Sequence, residues 1–117
     1  MTNRLAPLAL LLAAPAWATP PEPAPLNLQQ ASALKCSAAF ALGAAAQARG
    51  EGKQWPALAT RGREFFVRTS ARIMDEMGWS RDLVALKLGD QSKALSQAGA
   101  LGAAMPPCLL LLDASGI

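Results

Sequence analysis

The chain has 117 residues, 52% of them hydrophobic, with 11 Lys and Arg, 8 Asp and Glu, and no histidine. That length fits one small domain. The formal charge of +3 falls short of the clustered basic balance that nucleic-acid binding needs, and the missing histidine removes the commonest general base and metal ligand.

The first element reads as a secretory signal segment over residues 1–18. Arg4 gives a positive start, Leu5 to Ala14 forms a short apolar run, and Ala16-Trp17-Ala18 places small residues before a cut at Thr19. The run is about half the roughly 20 residues that span a bilayer, so no transmembrane segment is expected after cleavage. These features predict a periplasmic location, with an extracellular one as the alternative, and a net charge of +2 once Arg4 is removed.

Residues 19–26 follow as a proline-rich leader, Thr19 to Pro25 reading TPPEPAP. Four prolines in seven residues suit neither helix nor sheet interior. A small helical domain is expected over 27–117.

Asn27 is a good N-cap, and the pattern predicts a first helix from Leu28 to about Arg49, stopped by Gly50. Leu28, Ala31, Leu34, Ala38, Ala41, Leu42 and Ala45 recur at helical steps as one mostly alanine stripe. Gly50 to Gln54 reads as a loop. A second helix is expected from Pro56, at the favoured first position, to a cap at Gly78. Arg61, Glu64, Arg68, Arg72 and Asp75 share one face of it. Phe66, Ile73, Met74 and Met77 lie across as its core stripe, with Phe65 at the border. Trp79 falls in a turn, and Ser80 caps a third helix with Asp82 in its first turn. Val84, Leu88, Leu95 and Ala98 form that helix's stripe, with Leu83 and Leu86 beside it, Gly89 weakening its middle and Gly99 ending it. Pro106 and Pro107 then precede a last short helix or extended segment from Cys108 to Asp113. No stretch alternates as a half-buried strand does. The fold class is all-α: three to four helices with one disulfide.

That disulfide is read from the two cysteines, Cys36 and Cys108. An even pair in an exported chain implies a bridge. A zinc site needs four ligands, and no C-x-x-C redox motif is present. No metal or cofactor is therefore expected.

Three motifs carry catalytic meaning on paper. Gly52-Lys53 resembles the end of a phosphate-binding loop, but Gln47 and Gln54 stand where Gly and Ser or Thr are required. Ser32-Ala33-Leu34-Lys35 matches S-x-x-K, yet its S-D-N and K-T-G partners are missing, and a solvated Ser and Lys explains it. Asp75 and Glu76 point about 100° apart on a helix and do not converge. The expected protein is not an enzyme.

Arg61, Arg68 and Arg72 are the candidate interaction surface, for a protein partner or an anionic envelope component. Glu64 and Asp75 interrupt them, so the simpler account is a mixed-charge solvated face. The function that fits is a non-enzymatic interaction module of the bacterial cell envelope: an accessory subunit, inhibitor or chaperone-like protein. The alternative is a carrier holding a small apolar ligand in an internal cavity.

Overall fold

In the computed structural model, which describes Thr2 and residues 23–117, four helices follow one another: α1 (Leu28–Ala48), α2 (Ala59–Met77), α3 (Arg81–Leu95) and α4 (Ala100–Ala114). No strand occurs among the described residues. The expected signal segment and most of the expected leader lie outside them; residues 23–26 are neither helix nor strand.

α1 starts where its cap places it. Asn27 Oδ1 accepts from the Gln30 N–H at 2.8 Å, and Gln30 Oε1 accepts from the Asn27 N–H at 3.0 Å. This reciprocal pair satisfies two otherwise orphaned donors. At the other end Arg49 is the cap, and Gly50 turns the chain with φ +81°.

α1 is the centre of the molecule and packs against all three other helices, which meet one another only along their edges. Its sequence stripe is therefore only partly right. Leu34 and Ala38 are buried and Leu42 half-buried, but Leu28, Ala31, Ala41 and Ala45 are exposed. Cys36, Ser37, Ala39, Phe40, Gly43 and Ala46 are buried as well. A helix enclosed on several sides has no single apolar face.

α2 begins three residues later than Pro56 suggested. The cause is a side chain from α1. Gln47 Oε1 accepts from the Leu58 N–H at 3.0 Å, and its amide Nε2 donates to the carbonyls of Gly52, Trp55 and Pro56 at 3.3, 3.3 and 2.8 Å. These bonds hold the connection in a non-helical path until Leu58, whose side chain is fully buried. The far end of α2 closes on Gly78, whose N–H donates to the Met74 carbonyl with φ +67°.

The buried face of α2 is also rotated from the expected one. Gly62, Phe65, Thr69 and Ile73 face inward, and Phe66 is 36% exposed. Met74 and Met77 are half-buried. Gly62 permits the closest approach: a Cβ there would lie 2.8 Å from Phe40 Cβ. Gly62→Ala should therefore destabilise by about 1–3 kcal/mol, the range for overpacking. Gly89→Ala on α3, where an added Cβ meets nothing within 4 Å, should stabilise by up to about 1 kcal/mol through helix propensity. Paired thermal melts check both signs.

Ser80 caps α3 as expected, its Oγ accepting from the Leu83 N–H at 3.1 Å. Val84 and Leu95 are buried, Leu83 and Leu88 half-buried, and Leu86 61% exposed. α3 ends at Leu95, so Ala98 is exposed connecting chain.

α4 departs most from the sequence reading. It begins directly after Gly99 and carries Pro106 and Pro107 inside it. Each proline removes a main-chain donor and crowds the carbonyl four residues back. Here both prolines are exposed, as are Gly102 and Ala103, whose carbonyls lose their partners, so water reaches that face. The opposite face buries Ala104, Met105, Cys108 and Leu112. Cys108 is bonded to Cys36 with the Cα atoms 5.2 Å apart. The bridge and the buried face together hold a helix that local preference would break.

The main core gathers Phe40, Leu58, Phe65, Leu95, Met105 and Leu112 around the disulfide. A smaller one joins Leu34, Ile73, Trp79 and Val84 beneath Leu26. No helix among the described residues is long and apolar enough to cross a membrane.

Candidate functional site

On α2, steps of three and four residues bring Phe65, Arg68, Thr69, Arg72, Ile73 and Glu76 toward one side. With the start of α1 and the end of α4 they line a groove of about 480 Å³. Its apolar part is Ala33, Phe65, Ile73 and Leu111; its polar part includes Gln30, Arg68, Arg72 and Glu76. Gln30 Nε2 donates to Glu76 Oε2 at 2.8 Å and ties α1 to α2 at the groove edge. The capping box fixes that glutamine in turn, so one residue ends a helix and shapes the site.

The three arginines singled out by the sequence have three different settings. Arg61 donates through Nε and Nη2 to the Ile117 main-chain oxygen at 3.1 and 2.9 Å, and through Nη2 to Asp113 at 3.1 Å. It fastens the end of α4 to α2. Arg68 pairs with Glu64 one turn back at 2.6 Å. Arg72 has no ion-pair partner within 4 Å among the described residues. Only Arg68 and Arg72 line the groove.

Such a site can hold an acidic group beside an apolar one. A guanidinium offers forked donors to a carboxylate, and the floor offers dispersion contact. The pairs are exposed, however, and ion pairs of this kind contribute about 0–1 kcal/mol. Replacing Arg61, Arg68 and Arg72 with Gln should lower stability by no more than about 1 kcal/mol for each pair lost. The wild-type protein should not sediment with acidic vesicles even at low salt, because Glu64 and Asp75 share the face and cancel part of its field. Tight vesicle binding that fades toward physiological salt, where screening acts over about 8 Å, would instead make this face a membrane-binding one.

Ser32 and Lys35 line a second groove, of about 650 Å³, between α1, α3 and α4, with the disulfide in its wall. No hydrogen bond joins them. Lys35 is exposed, and Gln91 is the other polar residue of the groove. Asp75 and Glu76 part company as their spacing implies: Glu76 lines the arginine groove and Asp75 does not. Among the described residues no group of three or more Cys, Asp or Glu could hold a metal ion.

Gln30, Thr69 and Gln47 escaped the sequence reading. Asn27 and Gln30, three apart before an apolar run, carry the capping-box spacing that would have found the first. Thr69 sits at a helical step between Phe65 and Ile73. Nothing local marks Gln47, whose partners lie up to 11 residues away.

No protein-family model matches the chain, and neither does any curated protein or solved structure.

Proposed function

We propose that this chain is an exported, non-enzymatic interaction module of the bacterial cell envelope, periplasmic in location. The observation that carries this reading is the buried Cys36–Cys108 bridge between α1 and α4, a bond that persists in oxidising compartments and is rare in reducing ones. The charged, apolar and Ala-x-Ala stretches of residues 1–18 agree with it. The partner-facing surface is the groove of Arg68 and Arg72, and its partner is a protein that presents a carboxylate beside an apolar side chain.

The carrier reading draws no comparable support. It needs an enclosed apolar cavity, whereas Phe40, Leu58, Ile73, Met105 and Leu112 fill the interior with their own side chains.

The test has two parts. Protein recovered from the exported fraction should have an intact mass beginning at Thr19, with neither cysteine alkylated without reductant. A partner retained by the wild type through a gentle wash should be lost from Arg68→Glu/Arg72→Glu protein that melts normally. A full-length reduced product would refute export, and unchanged partner retention would remove the arginine groove from the interface.

A further inference from the structure

The connection between α1 and α2 carries a half-buried tryptophan, Trp55, at the end of a loop that Gln47 holds in place. The Trp55 N–H donates to the Gly52 carbonyl at 3.2 Å, and its own carbonyl accepts from Gln47 Nε2 at 3.3 Å. Two glycines make room for the ring. A Cβ on Gly52, where the chain turns with φ +64°, would lie 3.1 Å from Trp55 Cε3, and one on Gly43 would lie 3.6 Å from the same atom. That edge of the indole packs against the main core, and the Nε1–H is on the opposite edge. The Nε1–H donates to no described residue and is not sealed from solvent as that of Trp79 is.

Trp55 lines an open groove of about 570 Å³ between this loop and the α3–α4 connection, within the roughly 300–1,000 Å³ of small-molecule sites. Leu42 and Leu101, both half-buried, extend its apolar wall. Gln54 and Gln97 are exposed, and neither side chain bonds to a described residue. Each amide offers two donors and an acceptor. Arg49 and Glu51 are the charged residues of the lining, and they pair with each other at 3.5 Å. This groove shares no lining residue with that of Arg68 and Arg72.

These groups select a ligand by chemistry. It is neutral, because the cation and the anion of the groove answer each other; a phosphate or carboxylate would call for an unpaired cation. It has a flat apolar face for the indole, and hydroxyls around its edge for the two amides and the indole N–H. A sugar ring has both, with C–H bonds on one face and hydroxyls at the rim. The aliphatic wall beyond the tryptophan suits a methyl group, which an acetamido substituent supplies together with a donor and an acceptor. The bonds from Gln47 fix the loop in advance, so little ordering is left to oppose binding.

We propose that the Trp55 groove binds a neutral glycan of N-acetylated sugars. One ring stacks on Trp55, its hydroxyls bond to Gln54, Gln97 and the indole N–H, and an acetamido methyl rests on Leu42 and Leu101. The site is separate from the arginine groove and does not depend on its partner.

The test follows the indole N–H signals by NMR in the ¹⁵N-labelled protein, with Trp55→Phe identifying the Trp55 signal by its loss. Chitotetraose, the tetramer of N-acetylglucosamine, should move the Trp55 signal and leave that of Trp79 in place. Cellotetraose, which has the same linkage without acetamido groups, should bind more weakly, and adenosine should not bind. Gln54→Ala and Gln97→Ala, both at exposed positions, should each weaken chitotetraose roughly fivefold, the factor of a hydrogen bond of ordinary net strength. Trp55→Ala should abolish binding, and Arg68→Glu/Arg72→Glu should leave it unchanged. No shift with chitotetraose up to its solubility limit would overturn the site, as would full binding to both glutamine variants. Equal binding of cellotetraose would overturn the N-acetyl assignment, and equal binding of adenosine the sugar assignment. Because the two grooves share no residue, none of these failures touches the partner reading.

Discussion

Phe65→Ala should destabilise the protein by roughly 3–5 kcal/mol, the usual cost of emptying a buried phenylalanine site, while Phe66→Ala should cost only about 1–2 kcal/mol, the share of its burial. The two residues are neighbours on α2, yet Phe65 is 5% exposed and Phe66 36%. The Phe65 ring meets Phe40 edge-on, with centroids 5.2 Å apart and planes at 86°. Such a pair contributes about 0.5–1.5 kcal/mol beyond its buried area. Phe40 is itself fully buried, next to Gly62. Removing the Phe65 ring leaves Phe40 facing a void that helices fixed by close contact at Gly62 cannot easily close. Native domains hold only about 5–15 kcal/mol in total, so the change takes a large part of the margin. Urea unfolding of the two variants decides the matter. Equal losses, or a larger one for Phe66→Ala, would mean that the buried face of α2 is misplaced.

The same pair shows how far the fold was legible. The caps were: Asn27, Gly50, Gly78 and Ser80 act through local chemistry and stand where the sequence put them. The face of α2 was not. Its inward positions are Gly62, Phe65, Thr69 and Ile73, two apolar side chains with a threonine between them and a glycine one turn before. The small glycine is there because α1 comes close. Apolarity alone pointed to Ile73, which is buried, but also to Met74, Met77 and Phe66, the last about 100° around the helix from Phe65. The interior prolines of α4 were misread for a related reason. Pro106 and Pro107 argue locally against a helix, and only the bond from Cys108 to α1, with the burial of Met105 and Leu112, outweighs them. Of the candidate site, the arginines were visible as residue types. Their division between a groove and a tether at Ile117 was not, because it depends on where α4 ends.

The bridge carries the other large effect. Cys36→Ala/Cys108→Ala protein should lose up to about 4 kcal/mol, from the chain entropy that a long closed loop denies to the unfolded state. The cysteines are 72 residues apart in sequence, so the loop spans most of the described domain. For a domain of this size that loss lowers the melting temperature by roughly 4–8 °C for each kcal/mol. The loss should not be uniform. α4 lacks two main-chain donors at its prolines, begins without a side-chain cap and contains Gly102. Without the bridge α4 is held by buried Ala104, Met105 and Leu112 and by half-buried Leu101, Leu109 and Leu111, while α2 keeps its contacts with Phe40. Local opening follows such differences in tertiary support. Amide exchange over residues 100–114 should therefore accelerate first and most, with α1 and α2 protected until global unfolding. In the native protein both sulfurs are within the core, Cys36 5% and Cys108 2% exposed, so a reductant should act slowly unless denaturant is added. If the double variant melts with the wild type, the apolar contacts of α4 suffice alone. Uniform acceleration of exchange across all four helices would instead mean that α4 belongs to one cooperative unit with the rest, and that the bridge stabilises the whole rather than the weakest helix.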